Sequence, residues 1–203
     1  MKQVIDLYWD VGSTNSYFAL HLLTDVASRN KAAVRFHPFN LGYVFRKLNY
    51  RLQDEPREKL RYRAVDLKRW AVRHNLPFQV PKQFPIKTSL PLRGSLAMRR
   101  YGLERSFVEA IFAAYWEKGD ASISVARGLR PIAASLGVSP DDFEELSESP
   151  AVRSELVQET DSGLARGAFG APTMFVGNEM FWGKDRMDFL EEALRVGASR
   201  RPV

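Results

Sequence analysis

The chain has 203 residues, 45% of them apolar and 27% charged, a composition that suits one large domain or a domain carrying an insertion. It contains no cysteine, which excludes a redox disulfide, structural disulfides and thiolate metal sites. No apolar run approaches the roughly 20 residues of a membrane helix. No cleavable leader is recognised before the first strand, so we expect a cytoplasmic protein with no membrane partner.

The formal net charge of +6 is concentrated in one segment. Residues 46–73 contain ten Lys or Arg and four Asp or Glu, so this segment alone has the excess of the whole chain. Such a segment either attracts an anionic substrate or forms a solvated helix face. Because no nucleic-acid-binding motif accompanies the charge, we expect no nucleic-acid partner.

The N-terminal pattern predicts a strand, a helix and a second strand. Val4–Asp10 is a short apolar run typical of a buried strand, and Ser13 or Asn15 is placed to cap the helix that follows. Val34–Phe39 is the second predicted strand. A strand–helix–strand of this length predicts a parallel, right-handed unit.

Helical signals dominate from about residue 41 to residue 160. Apolar residues recur at helical spacing across 60–71, whereas the four prolines of Leu76–Pro91 predict an irregular, extended connection. Further helices are predicted over Leu103–Lys118 (ended by Gly119), over Ser124–Leu136 (ended by Gly137), from Ser139 onward, and over Pro150 to about Ala168.

Strand signals return near the C-terminus. Thr173–Val176 and Glu179–Trp182, joined by a Gly-Asn turn, predict a hairpin. A closing helix is predicted over Asp185–Val196 with Asp185 as its cap, and residues 199–203 are predicted to be a loose basic tail.

The predicted order is therefore β-α-β, a long helical segment, then α-β-β-α. This is the order of an α/β thioredoxin-like fold interrupted by an all-helical insertion domain. We expect residues 1–40 and 160–203 to form the thioredoxin-like domain and residues 41–159 to form the insertion.

Four stretches identify a family resemblance over nearly the full length. They are Asp-Val-Gly-Ser-Thr-Asn-Ser-Tyr-Phe-Ala at 10–19, Lys59-x-x-Tyr62-x-x-x-Asp66-Leu67-x-Arg69-Trp70, Leu76-Pro77-Phe78 with Phe84-Pro85-Ile86, and Gly-Ala-Phe-Gly-Ala-Pro-Thr at 167–173 continuing through 179–186. The chain thereby resembles the 2-hydroxychromene-2-carboxylate isomerases and the kappa-class glutathione transferases, relatives of the disulfide oxidoreductase DsbA. The resemblance implies a fold of the DsbA and kappa-transferase type.

The resemblance implies that Ser13 is catalytic and holds the sulfur of bound glutathione, the implied cofactor. In thioredoxin-like proteins this turn carries Cys-x-x-Cys, whereas here it carries Ser13 to Ser16. A hydroxyl at a helix start suits an anion, including a thiolate brought by a ligand. The alternative for Ser13 is a plain helix cap, and Ser16 is interpreted as a cap or packing residue.

The same resemblance implies further glutathione-binding residues in two loops. Ala171 would offer its backbone to the tripeptide beside a cis Pro172, although only about 5–6% of X-Pro bonds are cis. Residues 182–185 would hold the γ-glutamyl end through Trp182, Gly183, Lys184 and Asp185. Asp185 would pair with the ammonium group, Trp182 is equally consistent with a core position, and family members often have asparagine in place of Lys184.

Candidate residues for a small anionic aromatic substrate lie in the insertion. They are Asn49, in a stretch that departs from the family's Thr-Gly-Asn-x-Pro, and Lys59 and Tyr62, on neighbouring parts of one helix. The alternative is a surface lysine and a packed tyrosine. Two more departures, at Thr14 and Lys87, fall near the same region, so the glutathione interpretation is better supported than the isomerase interpretation.

Three functions remain open at this point. The first is a glutathione-dependent cis–trans isomerase of 2-hydroxychromene-2-carboxylate-like acids, the second a kappa-like glutathione transferase, and the third a non-catalytic binding protein. The resemblance also implies a homodimer. The spacing of His21, His37 and His74 predicts no metal site.

Overall fold

A computed structural model describes residues 3–51 and 54–199 of the chain, the side chains of 197–199 excepted. The strands are β1 (Val4–Trp9), β2 (Ala33–Pro38), β3 (Thr173–Val176) and β4 (Glu179–Trp182). The α-helices of this part are α1 (Thr14–Arg29), α2 (Leu41–Lys47), α3 (Arg57–Arg73), α4 (Ser89–Arg99), α5 (Glu104–Phe112), α6 (Ala126–Ser135), α7 (Pro140–Glu148), α8 (Pro150–Ala165) and α9 (Met187–Ser199). A π-helical turn, Ala113–Glu117, extends α5, and a 3₁₀ turn, Ala121–Ser124, precedes α6.

The strands form one sheet in the order β2-β1-β3-β4. β1 is parallel to β2 and antiparallel to β3, and β3 is antiparallel to β4. The parallel pair requires a crossover, which α1 supplies. This topology confirms the predicted thioredoxin-like fold.

Strand alternation gives the sheet two buried faces. Leu7 and Trp9 point to the face covered by α1 and α9, and they belong to the larger core cluster, which continues into the helical insertion. Trp9, for example, lies 5.6 Å from Phe112 between ring centroids. Tyr8 points to the other face, where it packs with Phe175 in a smaller cluster under α2 and the end of α8. The two predicted units thus share a continuous core.

Several predicted boundaries shift by a few residues. Helix α4 begins at Ser89, so the irregular stretch predicted through Pro91 ends earlier; Pro91 lies in the first helical turn, where its missing N–H has no role. Helix α6 begins at Ala126 rather than at Ser124. The predicted helix ends at Gly119 and Gly137 are confirmed, with φ of +70° and +83°.

The predicted cap at Asp185 is wrong. Helix α9 begins at Met187, and the N–H of Leu190 donates to the carbonyl of Arg186, which makes Arg186 the residue at the cap position. Most of the predicted tail, 200–203, lies outside the described residues. Within the described residues, no helix is both long and apolar enough to cross a membrane.

Candidate active site

Three chain segments meet at one end of the sheet. Trp9 pairs with Pro38 at the ends of β1 and β2, while Thr173, at the start of β3, pairs with Tyr8 and with Trp182 at the end of β4. The turn before α1, the loop before β3 and the loop after β4 therefore leave the sheet side by side. This places the predicted glutathione residues of three separate stretches in one region.

Ser13 is both the cap of α1 and the residue that joins two of these segments. Its Oγ accepts the N–H of Ser16 at 3.2 Å, and its hydroxyl donates to the carbonyl of Ala171 at 2.8 Å. Its backbone is extended, at φ −91° and ψ 116°, as a cap requires. Of the two predicted caps, Ser13 is the one used. Ser13 can be both a helix cap and a functional residue, because its hydroxyl also donates to a residue in the loop before β3.

The first turn of α1 carries backbone N–H groups that are available as hydrogen-bond donors. Within the described residues, the backbone N–H groups of Thr14 and Asn15 have no hydrogen-bond partner. No acidic residue lies in the first turn of this 16-residue helix. Free N–H groups together with the helix dipole favour a negative charge at this position. The side chain of Ser16, which is 1% exposed and has no partner for its Oγ, faces the interior instead.

The peptide bond between Ala171 and Pro172 is cis, as the resemblance predicts. The carbonyl of Ala171 accepts from Ser13, whereas the N–H of Ala171 has no partner within the described part of the chain. The hydroxyl of Thr173 donates to the carbonyl of Gly170 at 2.7 Å and holds the loop from below. As far as the described residues go, one backbone donor beside Ser13 is thus available to a ligand.

Sequence reasoning missed the role of Asp10, which lies beneath this turn and is 1% exposed. Its carboxylate accepts from the N–H of Gly12 at 2.8 Å, the N–H of Leu41 at 2.9 Å and the hydroxyl of Thr88 at 3.0 Å. These bonds tie the turn to the starts of α2 and α4. Burial raises the pKa of Asp10 to about 6, although the three donors oppose that shift. An acidic residue directly after a buried strand was the available signal.

The end of β4 presents one exposed aromatic side chain, and the loop after it presents one exposed carboxylate. Trp182 is 48% exposed and packs on Phe169 with 4.9 Å between ring centroids. The N–H of Gly183 donates to the carbonyl of Pro172 at 3.0 Å, which fixes the loop against the cis proline. Asp185 is exposed and pairs with Arg186 at 2.7 Å.

Lys184, from the same loop, is oriented away from solvent. It is 9% exposed, and its ammonium lies 4.5 Å from the centre of the Trp70 ring and 3.6 Å from Oδ2 of Asp66. Both partners belong to α3. The side chain of Lys184 is therefore buried against the protein, whereas the carboxylate of Asp185, although paired with Arg186, is exposed.

Among the described residues, none of the three predicted substrate residues is hydrogen-bonded to Ser13. Asn49 is exposed with φ +51°, between α2 and α3. Lys59 is bound to Glu55 at 2.8 Å, and Tyr62 is 64% exposed. Since Lys59 already has a carboxylate partner, Tyr62 is the freer of the two side chains on α3.

The histidines lie elsewhere. His21 and His74 line a cavity of about 530 Å³ beside the middle of α1, and burial lowers the pKa of His21. His37 is held between Glu159 at 2.6 Å and Asp6 at 3.3 Å. Among the described residues, no group of three or more His, Asp or Glu is arranged to hold a metal ion.

Comparison with known proteins first shows the class of protein to which the chain belongs, the DSBA-like thioredoxin proteins. The sequence model of the DSBA-like thioredoxin domain matches residues 4–195. Among solved structures, the selenomethionine structure of 2-hydroxychromene-2-carboxylate isomerase has a TM-score of 0.84 and 28% identity, covering 98% of this chain and 100% of its own. Cytosolic disulfide reductase DsbM from Pseudomonas aeruginosa, solved with GSH, has a TM-score of 0.66 at 21% identity, covering 95% and 99%. The latter likeness shows the fold alone.

Curated relatives narrow the class. A 2-hydroxychromene-2-carboxylate isomerase of Sphingobium xenophagum is 32% identical over 196 residues, which is 96% of this chain and 99% of the relative. Glutathione S-transferase kappa 2 of Caenorhabditis elegans is 25% identical over 215 residues, covering 96% and 94%. The chain belongs to the 2-hydroxychromene-2-carboxylate isomerase family within the DSBA-like thioredoxin proteins. It is accordingly an enzyme of the isomerase class rather than a non-catalytic binding protein.

Proposed function

We propose that this isomerase holds glutathione at the start of α1 and acts on 2-hydroxychromene-2-carboxylate or a closely similar anionic aromatic acid. The observation that carries the proposal is the Ser13 hydroxyl, 2.8 Å from the carbonyl of the residue before the cis proline. A relative named for that isomerase activity and a kappa-class glutathione transferase support the substrate and the cofactor respectively.

The groups of this chain suit glutathione. The N–H groups of Thr14 and Asn15, which have no partner among the described residues, favour an anionic sulfur. The N–H of Ala171, also without a partner in that part of the chain, suits pairing with a peptide backbone. The exposed carboxylate of Asp185 suits the γ-glutamyl ammonium. When bound, glutathione would supply a thiolate nucleophile that is released unchanged.

Ser13 is the main group for ionising the sulfur. A free thiol has a pKa of about 8.5, and each unit of lowering corresponds to about 1.4 kcal/mol. The helix start contributes roughly 0.3–1 kcal/mol. A hydrogen bond to a charged acceptor contributes about 1.5–3 kcal/mol. The hydroxyl is therefore needed to bring the pKa of the thiol below neutrality.

The Ser13 hydroxyl has a single proton, which the carbonyl of Ala171 accepts. To donate to sulfur, the hydroxyl must turn away from that carbonyl, which then becomes free to accept from the tripeptide backbone. The N–H of Ser16 holds the oxygen in place during the turn. Binding the peptide backbone and stabilising the thiolate are thus coupled through one side chain.

We assign the substrate end of the site to Asn49, Lys59 and Tyr62. The ring of Tyr62, which is 64% exposed, suits an aromatic substrate, and the ammonium of Lys59 would bind the substrate carboxylate in exchange for Glu55. The concentration of basic side chains on α3 adds long-range attraction for an anion. The homodimer stays a prediction of the resemblance, and the cytoplasmic location stays a prediction from the sequence pattern.

The test is spectroscopic. Glutathione bound to the wild-type protein at neutral pH is expected to show thiolate absorbance in the ultraviolet, and the Ser13→Ala variant is expected to bind glutathione with that absorbance lost. Calorimetry that finds no glutathione binding at millimolar concentration in the wild type would refute the proposal. Product analysis decides the second candidate, conjugation, which the kappa-class relative favours: accumulation of a glutathione conjugate would identify a transferase.

A further inference from the structure

The ammonium group of Lys184 is buried against Trp70 and Asp66 of α3. Lysine is almost never fully buried unless it is paired, so these two partners are what make the buried position possible. The ammonium lies over the face of Trp70, 4.5 Å from the ring centre, and 3.6 Å from Oδ2 of Asp66. We infer that Lys184 is a positioning residue, which docks the loop after β4 onto α3, and that it is not a glutathione ligand.

This contact fixes the loop at a second point. The first is at Gly183, whose N–H donates to the carbonyl of Pro172 at 3.0 Å. Gly183 has φ +109°, and a Cβ there would lie 2.7 Å from Oδ1 of Asp185, so the loop turns tightly at this residue. Asp185 follows directly after both anchored residues. Its exposed carboxylate therefore has its position set by the backbone on one side and by Lys184 on the other.

The contact also fixes α3. Of the 17 residues of this helix, only Leu67 and Ala71 are buried, so its packing on the rest of the protein is slight. Helical spacing puts Lys59, Tyr62, Asp66 and Trp70 on one side of α3. Because Lys184 binds the last two, it turns the side that carries Lys59 and Tyr62 toward the loop that carries Asp185.

Lys184 thus joins the two halves of the proposed site, one from each predicted domain. This inference rests on the proposed function for its kinetic readout. The joint is effective because its charges are shielded: the side chain of Lys184 is 11% exposed and that of Asp66 is 27% exposed. The attraction between a cation and an aromatic face is stronger when water is excluded. A partly buried ion pair is also screened less by salt than an exposed pair.

The test compares Lys184→Met, which keeps the length and loses the charge, with Lys118→Met, which changes an exposed lysine of the insertion for which no ion pair is seen among the described residues. We expect Lys184→Met to raise the glutathione concentration for half-maximal rate about tenfold while kcat at saturating glutathione stays within about twofold. Lys184→Arg is expected to restore the wild-type value, because arginine also stacks on tryptophan and pairs with a carboxylate. Lys118→Met is expected to behave as the wild type.

A second readout does not depend on glutathione. Loosening α3 is expected to speed chymotrypsin cleavage after the exposed Tyr62 in Lys184→Met and not in Lys118→Met. Wild-type half-saturation and wild-type cleavage in Lys184→Met would overturn the inference. A wild-type protein that binds no glutathione would refute the proposed function instead, and the cleavage rates would still decide whether Lys184 anchors α3.

Discussion

Helices α1 and α8 begin with the same local chemistry and differ in what surrounds it. Each has 16 residues and a serine cap, Ser13 or Ser149, whose Oγ accepts an N–H three residues on, at 3.2 or 3.3 Å. Each hydroxyl donates to a backbone carbonyl at 2.8 Å. For Ser149 that carbonyl belongs to Leu146, in the preceding helix turn. For Ser13 it belongs to Ala171, 158 residues away.

The first helical residue differs as well. Helix α8 begins with Pro150, which has no N–H to offer, whereas α1 begins with Thr14, whose N–H has no partner within the described residues. A serine cap by itself therefore stabilises a helix. It becomes part of a candidate active site when its second hydrogen bond reaches another chain segment and the neighbouring donors remain free.

The largest expected effect comes from removing each cap in turn. Ser13→Ala and Ser149→Ala should each lower the free energy of unfolding by about 1 kcal/mol, since each loses an equivalent cap. Only Ser13→Ala should reduce isomerase turnover, by about 10²–10³-fold, as expected for a donor that stabilises developing negative charge. Urea unfolding and steady-state kinetics measure the two effects. Equal turnover in both variants would mean that Ser13 is a cap and nothing more.

A second feature of the start of α1 is the buried carboxyl of Asp10, which lies beneath the turn that leads into this helix. The pKa of this carboxyl is raised from 3.8 to about 6. The folded protein therefore binds more protons than the unfolded chain between these values, so the free energy of unfolding falls as pH rises from about 4 to about 6, by up to about 3 kcal/mol. Asp10→Asn should remove this slope. Denaturant unfolding at several pH values checks it, and parallel wild-type and variant curves would contradict it.

The sequence predicts those features of the fold and of the candidate site that depend on local signals. Ser13 is predictable as a cap because a serine follows a buried strand and precedes a helical pattern. The hairpin around Gly177 and the helix ends at Gly119 and Gly137 are predictable because glycine is the residue favoured where φ is positive. All three glycines have positive φ in the structure. Short helices such as α2 and α4 have weak periodicity, and the prolines near α4 favoured an irregular segment.

The parts that depend on distant segments were not predictable from patterns. Nothing local shows that Asp10 accepts from Leu41 and Thr88, 31 and 78 residues away. Nothing local shows that Lys184 turns inward to α3. The position of Asp185 predicts a cap because aspartate is favoured at helix starts. The cis bond at Pro172 followed from the family resemblance alone.

The loop that accepts from Ser13 can be disturbed without changing either cap. A Cβ at Gly170 would lie 2.9 Å from Nε1 of Trp182, so Gly170→Ala should shift the loop that carries Ala171. Overpacking of this kind costs about 1–3 kcal/mol. We expect turnover to fall about tenfold. The double variant Gly170→Ala with Trp182→Ala relieves the contact, and it should recover turnover relative to Trp182→Ala alone if the loop position is what distinguishes α1 from α8.

The smallest expected effect comes from giving α1 the same first residue as α8. Thr14→Pro removes an N–H that has no partner within the described residues, at a position where proline is compatible with a helix start. Stability should rise by about 0.4–1 kcal/mol, because proline restricts the unfolded chain. Turnover should stay within about threefold if the N–H of Asn15 and the hydroxyl of Ser13 suffice for the thiolate. A melting curve and steady-state kinetics check both expectations. A loss of turnover beyond tenfold would instead identify the N–H of Thr14 as a sulfur donor, and the difference between the two helix starts would then depend on the backbone at position 14 as much as on the hydroxyl at position 13.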